Sequence, residues 1–84
     1  MDWIDELLRD GLFHFHQARS HLVAGGTEAA RDELWQVVVA LECHAGLSEA
    51  LDESLGNAQR WYGYCCEGRY RKAAAALSMA RAVS

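Results

Sequence analysis

From Asp2 to about Ala24, apolar side chains recur at intervals of three and four residues: Ile4, Leu7, Leu8, Leu12, Phe15, Ala18 and Leu22. That spacing lines one side of an α-helix, while Asp2, Glu6, Arg9, Gln17 and Ser20 fall on the other. The chain has no proline, so its strong punctuation comes from glycine, at Gly25-Gly26, Gly46, Gly56 and Gly68. Gly25-Gly26 offers the left-handed stop common at helix ends, and Thr27 is the candidate N-cap of a second helix. This second helix, Glu28 to Ala45, opens with acids that suit a positive helix pole and turns Ala30, Leu34, Val37, Val38 and Leu41 inward. Between Val37 and Leu41 it is apolar nearly all round, which predicts the most buried helix. The β-branched residues there also suit a strand, but no other segment reads as a strand to pair with it.

After Gly46, Ser48 caps a short helix through Leu55, with Ala50 or Leu51 and Leu55 as its inner stripe. Gly56-Asn57 is either a break or a weak point before a helix from Ala58 to Glu67 that turns Trp61, Tyr64 and Cys65 inward. Beyond Gly68, the stripe Tyr70, Ala73, Ala74, Leu77 and Ala80 predicts the last helix. The expected fold is all-α: one domain over residues 1–84, a small bundle of two helical hairpins with four to five helices.

Length agrees, since 84 residues leave too little apolar surface for a second core. With 51% of residues apolar, the chain has the means to fold. Its longest strictly apolar run, Val37 to Leu41, is far short of the roughly 20 residues that cross a bilayer, and the chain opens on Asp2 and Asp5 rather than a basic leader. Three cysteines, two of them the neighbours Cys65 and Cys66, do not make a disulfide framework. Reduced thiols point to a cytoplasmic protein with no membrane partner.

Charge is unevenly shared. Residues 1–56 carry eleven acids against Arg9, Arg19 and Arg31, a net −8, whereas Arg60, Arg69, Arg71, Lys72 and Arg81 against Glu67 leave the remainder at +4. The split either neutralises itself within the fold or presents an acidic face to a basic partner. An acidic chain is repelled by phosphates, which disfavours direct nucleic-acid binding. Arg69, Arg71 and Lys72 at the start of the last helix oppose its dipole, a cost that either signals a task for them or is compensated by Glu67.

The stretch Trp61-x2-Tyr64-x3-Gly68-x-Tyr70-x2-Ala73-x3-Leu77-x2-Ala80 resembles a tetratricopeptide helix-turn-helix unit, with a turn glycine between an aromatic pair and a run of small and apolar residues. Ala18, His21, Gly25, Thr27, Ala30, Leu34 and Val37 form a weaker second copy. The turn glycines stand 43 residues apart, where the regular array repeats at about 34, and the terminal proline is missing. The resemblance implies paired helices that bind peptides or partner chains, as small secretion chaperones do, and implies no catalysis.

Four histidines are the candidates for metal chemistry. His14 and His21 share a helix face and could meet His44 from the antiparallel second helix, beside Cys43. The spacings that make a helical metal site persuasive, His-x3-His, Glu-x-x-His or Cys-x-x-Cys, do not occur. Cys65 and Cys66 point about 100° apart on a helix, so at least one belongs to the core, and no histidine lies near either in sequence to activate a thiol. Gly25-Gly26 lacks the lysine and preceding strand of a phosphate loop. The sequence therefore implies no cofactor.

The aromatic cluster Trp61, Tyr62, Tyr64 and Tyr70 divides by angle: Trp61 and Tyr64 read as core, while Tyr62 is expected to face outward. Tyr62 with Arg60, Arg69, Arg71 and Lys72 is the candidate partner-binding set, since aromatic and arginine side chains dominate interface hot spots. The leading expectation is a non-enzymatic protein-binding module, a small chaperone or adaptor that engages a partner segment of acidic or amphipathic character. The alternatives are a small acidic inhibitor whose carboxylates imitate phosphates, in the manner of phage anti-defence proteins, and a helical metal-binding protein using His14, His21 and His44. So short a chain can also complete its core as a homodimer.

Overall fold

The structure, a computed structural model, describes residues 2–79. It holds four helices, α1 Trp3–Val23, α2 Thr27–Glu42, α3 Glu49–Cys66 and α4 Tyr70–Ser78, and no strand among the described residues. Helix α1 begins where Asp2 accepts a hydrogen bond from the Ile4 amide at 3.2 Å, with Asp5 and Glu6 following at the positive pole. It ends in a double hydrogen bond around Gly25, whose φ of +87° few L side chains adopt: Gly25 N–H donates to the Leu22 carbonyl and Gly26 N–H to that of His21. The same device closes α3. There Gly68 has φ +77°, its N–H donates to the Cys65 carbonyl, and Arg69 N–H donates to that of Tyr64.

Two hairpins, α1–α2 and α3–α4, result. Helix α2 packs against both α1 and α3, and α1 closes the ring on α4, giving a body 35 × 20 × 17 Å. The direction of packing fixes which residues meet. His14 faces Glu33 and Trp3 faces His44, so α1 and α2 are antiparallel; Gly11 lies by Ser54 and Phe15 by Trp61, so α1 and α3 run parallel.

The core is wholly apolar among the described residues. Phe15 and Ala18 of α1 meet Ala30, Leu34, Val37, Val38 and Leu41 of α2, with Leu51, Ala58, Trp61 and Cys65 from α3 and Ala73 and Leu77 from α4. As expected, α2 supplies more core side chains than any other helix, although Trp35 and Val39 on its far side remain exposed. No helix of the described residues is long and apolar enough to cross a membrane.

Three expectations are corrected, and one left open is settled. Thr27 is the first residue of α2 and Gly26 its N-cap, because the double hydrogen bond at the end of α1 already holds Gly26 in the turn. Tyr70 lies outside the stripe of α4, 39% exposed at its first residue, whereas Ala73 and Leu77 are buried. Tyr62 is half-buried, not outward-facing, because α2 passes beside it. Gly56 interrupts nothing: α3 is continuous through Asn57, since packing on both flanks outweighs the roughly 1 kcal/mol that a helical glycine costs. Ala80, expected on the last stripe, and Arg81 lie outside the described residues.

Candidate protein interface

The apolar stripe of α2 leaves over Trp35, which lies about 100° round the helix from Leu34. Its indole is 49% exposed, and Val39, one turn further on, is 46% exposed. Across the groove, Tyr62 of α3 brings its ring to 5.2 Å from that of Trp35, the planes tilted by 39°. Two aromatic rings from neighbouring helices thus meet at the surface, with Val39 extending the apolar strip along α2.

Polar handles border the strip. A side-chain hydrogen bond with Cys66, followed by burial, pushes the Tyr62 phenol above its ordinary range, keeping it protonated and able to donate. Cys66 is exposed and Cys65, one residue earlier, is buried in the core. Burial pushes the Cys65 thiol up, with Cys66 adding to the effect and Arg31 opposing it. Nearby charges act on the phenol with mixed sign, Cys66 and Asp32 raising its pKa and Arg31 lowering it.

The predicted partner-binding set divides between two surfaces. Tyr62 belongs to the α2–α3 seam. Arg60 lies about 200° round α3 from it, on the side that carries Tyr64, and the Lys72 ammonium sits 4.8 Å from the Tyr64 ring centre. Arg69 pairs with Glu67 at 3.2 Å, both exposed, and so offsets part of the dipole cost at the start of α4. Arg71 is exposed on α4. Trp35 and Val39 were not in the predicted set. Their spacing of four residues, just off the buried stripe, is the signal that marks a second apolar face on α2.

The metal reading is corrected by the direction of packing. His14 is engaged with Glu33, Nδ1 to Oε2 at 2.5 Å, and His44 stacks on Trp3 with ring centres 5.1 Å apart. His21 sits by the α1–α2 turn, about 27 Å along α1 from Trp3. An antiparallel partner places His44 beside the first turn of α1, never beside His21. Among the described residues no group of three His, Cys, Asp or Glu side chains could hold a metal ion.

Between α1 and α2 lies a hollow of about 110 Å³, where Gly11 leaves space beside Leu7, Val37 and Leu41. It is smaller than the roughly 300–1,000 Å³ of clefts that enclose small molecules. Comparison with protein-family patterns, curated proteins and solved structures finds no match to this chain.

Proposed function

We propose that this chain is a non-enzymatic protein-binding module, a small adaptor or chaperone, whose contact surface is the α2–α3 seam. The observation that carries the reading is the Trp35–Tyr62 pair, a half-exposed indole against a half-buried phenol ring, backed by an apolar core. Trp and Tyr couple large contact area to one polar tip, few rotamers and a rigid mount, the properties that concentrate binding energy at hot spots. Val39 continues the strip in the direction an apolar partner helix would follow. Arg60, Arg69, Arg71 and Lys72, grouped toward the α3–α4 turn, would engage acidic side chains of the same partner beyond the seam.

The test is affinity capture of the tagged chain from its source lysate, beside Trp35→Ser/Val39→Ser and Arg71→Ala. Both variants change exposed side chains, so far-UV circular dichroism and melting serve as folding controls. Loss of a stoichiometric partner from the double variant, with partial loss from Arg71→Ala, is the expected result. Undiminished capture by a folded Trp35→Ser/Val39→Ser protein overturns the assignment of the seam.

A further inference from the structure

A second exposed apolar group lies at the other end of the body. Trp3, 47% exposed, tilts at 52° over the His44 ring, and Leu47, 61% exposed, follows on the same loop, its N–H donating to the His44 carbonyl. The loop is fastened on both sides. His44 N–H donates to the Leu41 carbonyl, and Gly46 N–H donates to Asp52 Oδ1 of α3 at 2.8 Å. An indole and a leucine are therefore held in place in solvent, away from the core and away from the Trp35 seam.

The topology surrounds this pair with carboxylates. Because α1 and α3 are parallel and α2 antiparallel to both, the starts of α1 and α3 and the end of α2 share one end. Among the described residues, that end gathers Asp2, Asp5, Glu6, Asp10, Glu42, Glu49, Asp52 and Glu53 against Arg9, eight acids to one base, a net −7. All eight are exposed. Helix poles account for acids in the first turns of α1 and α3. They do not account for Asp10 and Glu42, nor for an exposed Trp3 whose helix face also carries Glu6 and Asp10, three and seven residues on.

We propose that this end docks a basic amphipathic segment of a partner protein, its apolar side chain seated on Trp3 and Leu47 and its lysines and arginines among the surrounding carboxylates. Charge complementarity selects this occupant. Nucleic acid and anionic lipid share the sign of the surface and are repelled, and a second copy presenting the same end would be repelled likewise. A purely cationic surface would leave the indole unused. An amphipathic basic helix satisfies both elements, with charge steering the encounter and the apolar anchor setting the lifetime of the complex.

The probe is a fluorescein-labelled synthetic helix of about 18 residues with a leucine face and a lysine face, titrated with the full chain and followed by anisotropy. Binding should weaken at least tenfold between about 50 and about 300 mM NaCl as screening shortens the reach of the field. Trp3→Ser/Leu47→Ser should weaken it about tenfold, the loss of one apolar anchor. Glu6→Gln/Asp10→Asn/Glu53→Gln should weaken it by a similar factor, and Glu28→Gln, exposed in the first turn of α2 at the opposite end of the body, should leave it unchanged. The altered side chains are exposed, so melting curves verify that each variant is folded. Equal affinity for a lysine–serine peptide of the same charge, or indifference to Trp3→Ser/Leu47→Ser, overturns the proposal in favour of a simple phosphate-imitating surface. Preference for a glutamate–leucine helix or for duplex DNA, or self-association abolished by Trp3→Ser/Leu47→Ser, overturns it as well.

Discussion

The Phe15 ring meets the Trp61 indole edge to face, centres 4.8 Å apart and planes at 79°, joining α1 to α3 across the ring of helices. Both side chains are buried. They come from the two hairpins, so this contact is one of those through which the halves hold each other. Removing the phenyl ring in Phe15→Ala is expected to cost about 3–5 kcal/mol, and a double-mutant cycle with Trp61→Leu should return about 0.5–1.5 kcal/mol of coupling. Urea unfolding followed by circular dichroism measures both.

Two glycines make opposite predictions. Gly56 lies inside α3 with nothing within 4 Å of the place a methyl group would occupy, so Gly56→Ala should stabilise by about 0.5–1 kcal/mol. Gly68 also has free space, but its φ of +77° strains any L side chain. Gly68→Ala should therefore destabilise by about 1 kcal/mol. Thermal melts of the two variants, run side by side, check the sign of each.

The thiols separate by burial. Cys43 and Cys66 are exposed and should react with a thiol-specific reagent within the dead time of mixing by hand, while Cys65 should react only as the protein opens. Mass spectrometry of the labelled chain counts the modified sites over time. Rapid modification of all three in native buffer would contradict the packing of α3.

Alkaline stability follows from the same residue and from Tyr62. Both have folded-state values raised above their ordinary ones, Cys65 first by burial and Tyr62 first by its hydrogen bond with Cys66. As pH rises past about 8.5 for the thiol and about 10 for the phenol, the unfolded chain gives up protons that the folded chain keeps. The contribution of these two groups to stability should be constant below that window and fall within it. Denaturation midpoints on either side of the window test this, and Cys65→Ala should remove the thiol's part of the slope.

Much of the fold is legible in the sequence because burial follows helical period. The stripe from Phe15 to Ala18, the run from Leu34 to Leu41 and the pair Ala73 and Leu77 all lie where their spacing places them. Continuity through Gly56 was not legible, since a propensity cost of about 1 kcal/mol is decided by tertiary packing on either side. Nor was the separation of the histidines, which depends on which end of α2 meets which end of α1. The aromatic seam is half legible: the angular spacing of the Trp61–Tyr64 cluster points to Tyr62 as a contact residue, but its partner Trp35 belongs to a helix whose stronger signal is its buried stripe. The gathering of acids at one end needed the parallel course of α1 and α3, which no local pattern carries.

Amide hydrogen exchange of the chain, free and saturated with its captured partner, reads out the α2–α3 seam itself. Exchange should slow along the Trp35–Val39 stretch of α2 and around Tyr62 of α3 when the partner is bound. Protection confined to α1 and α4, with the α2–α3 seam unchanged, would contradict the assignment of the seam.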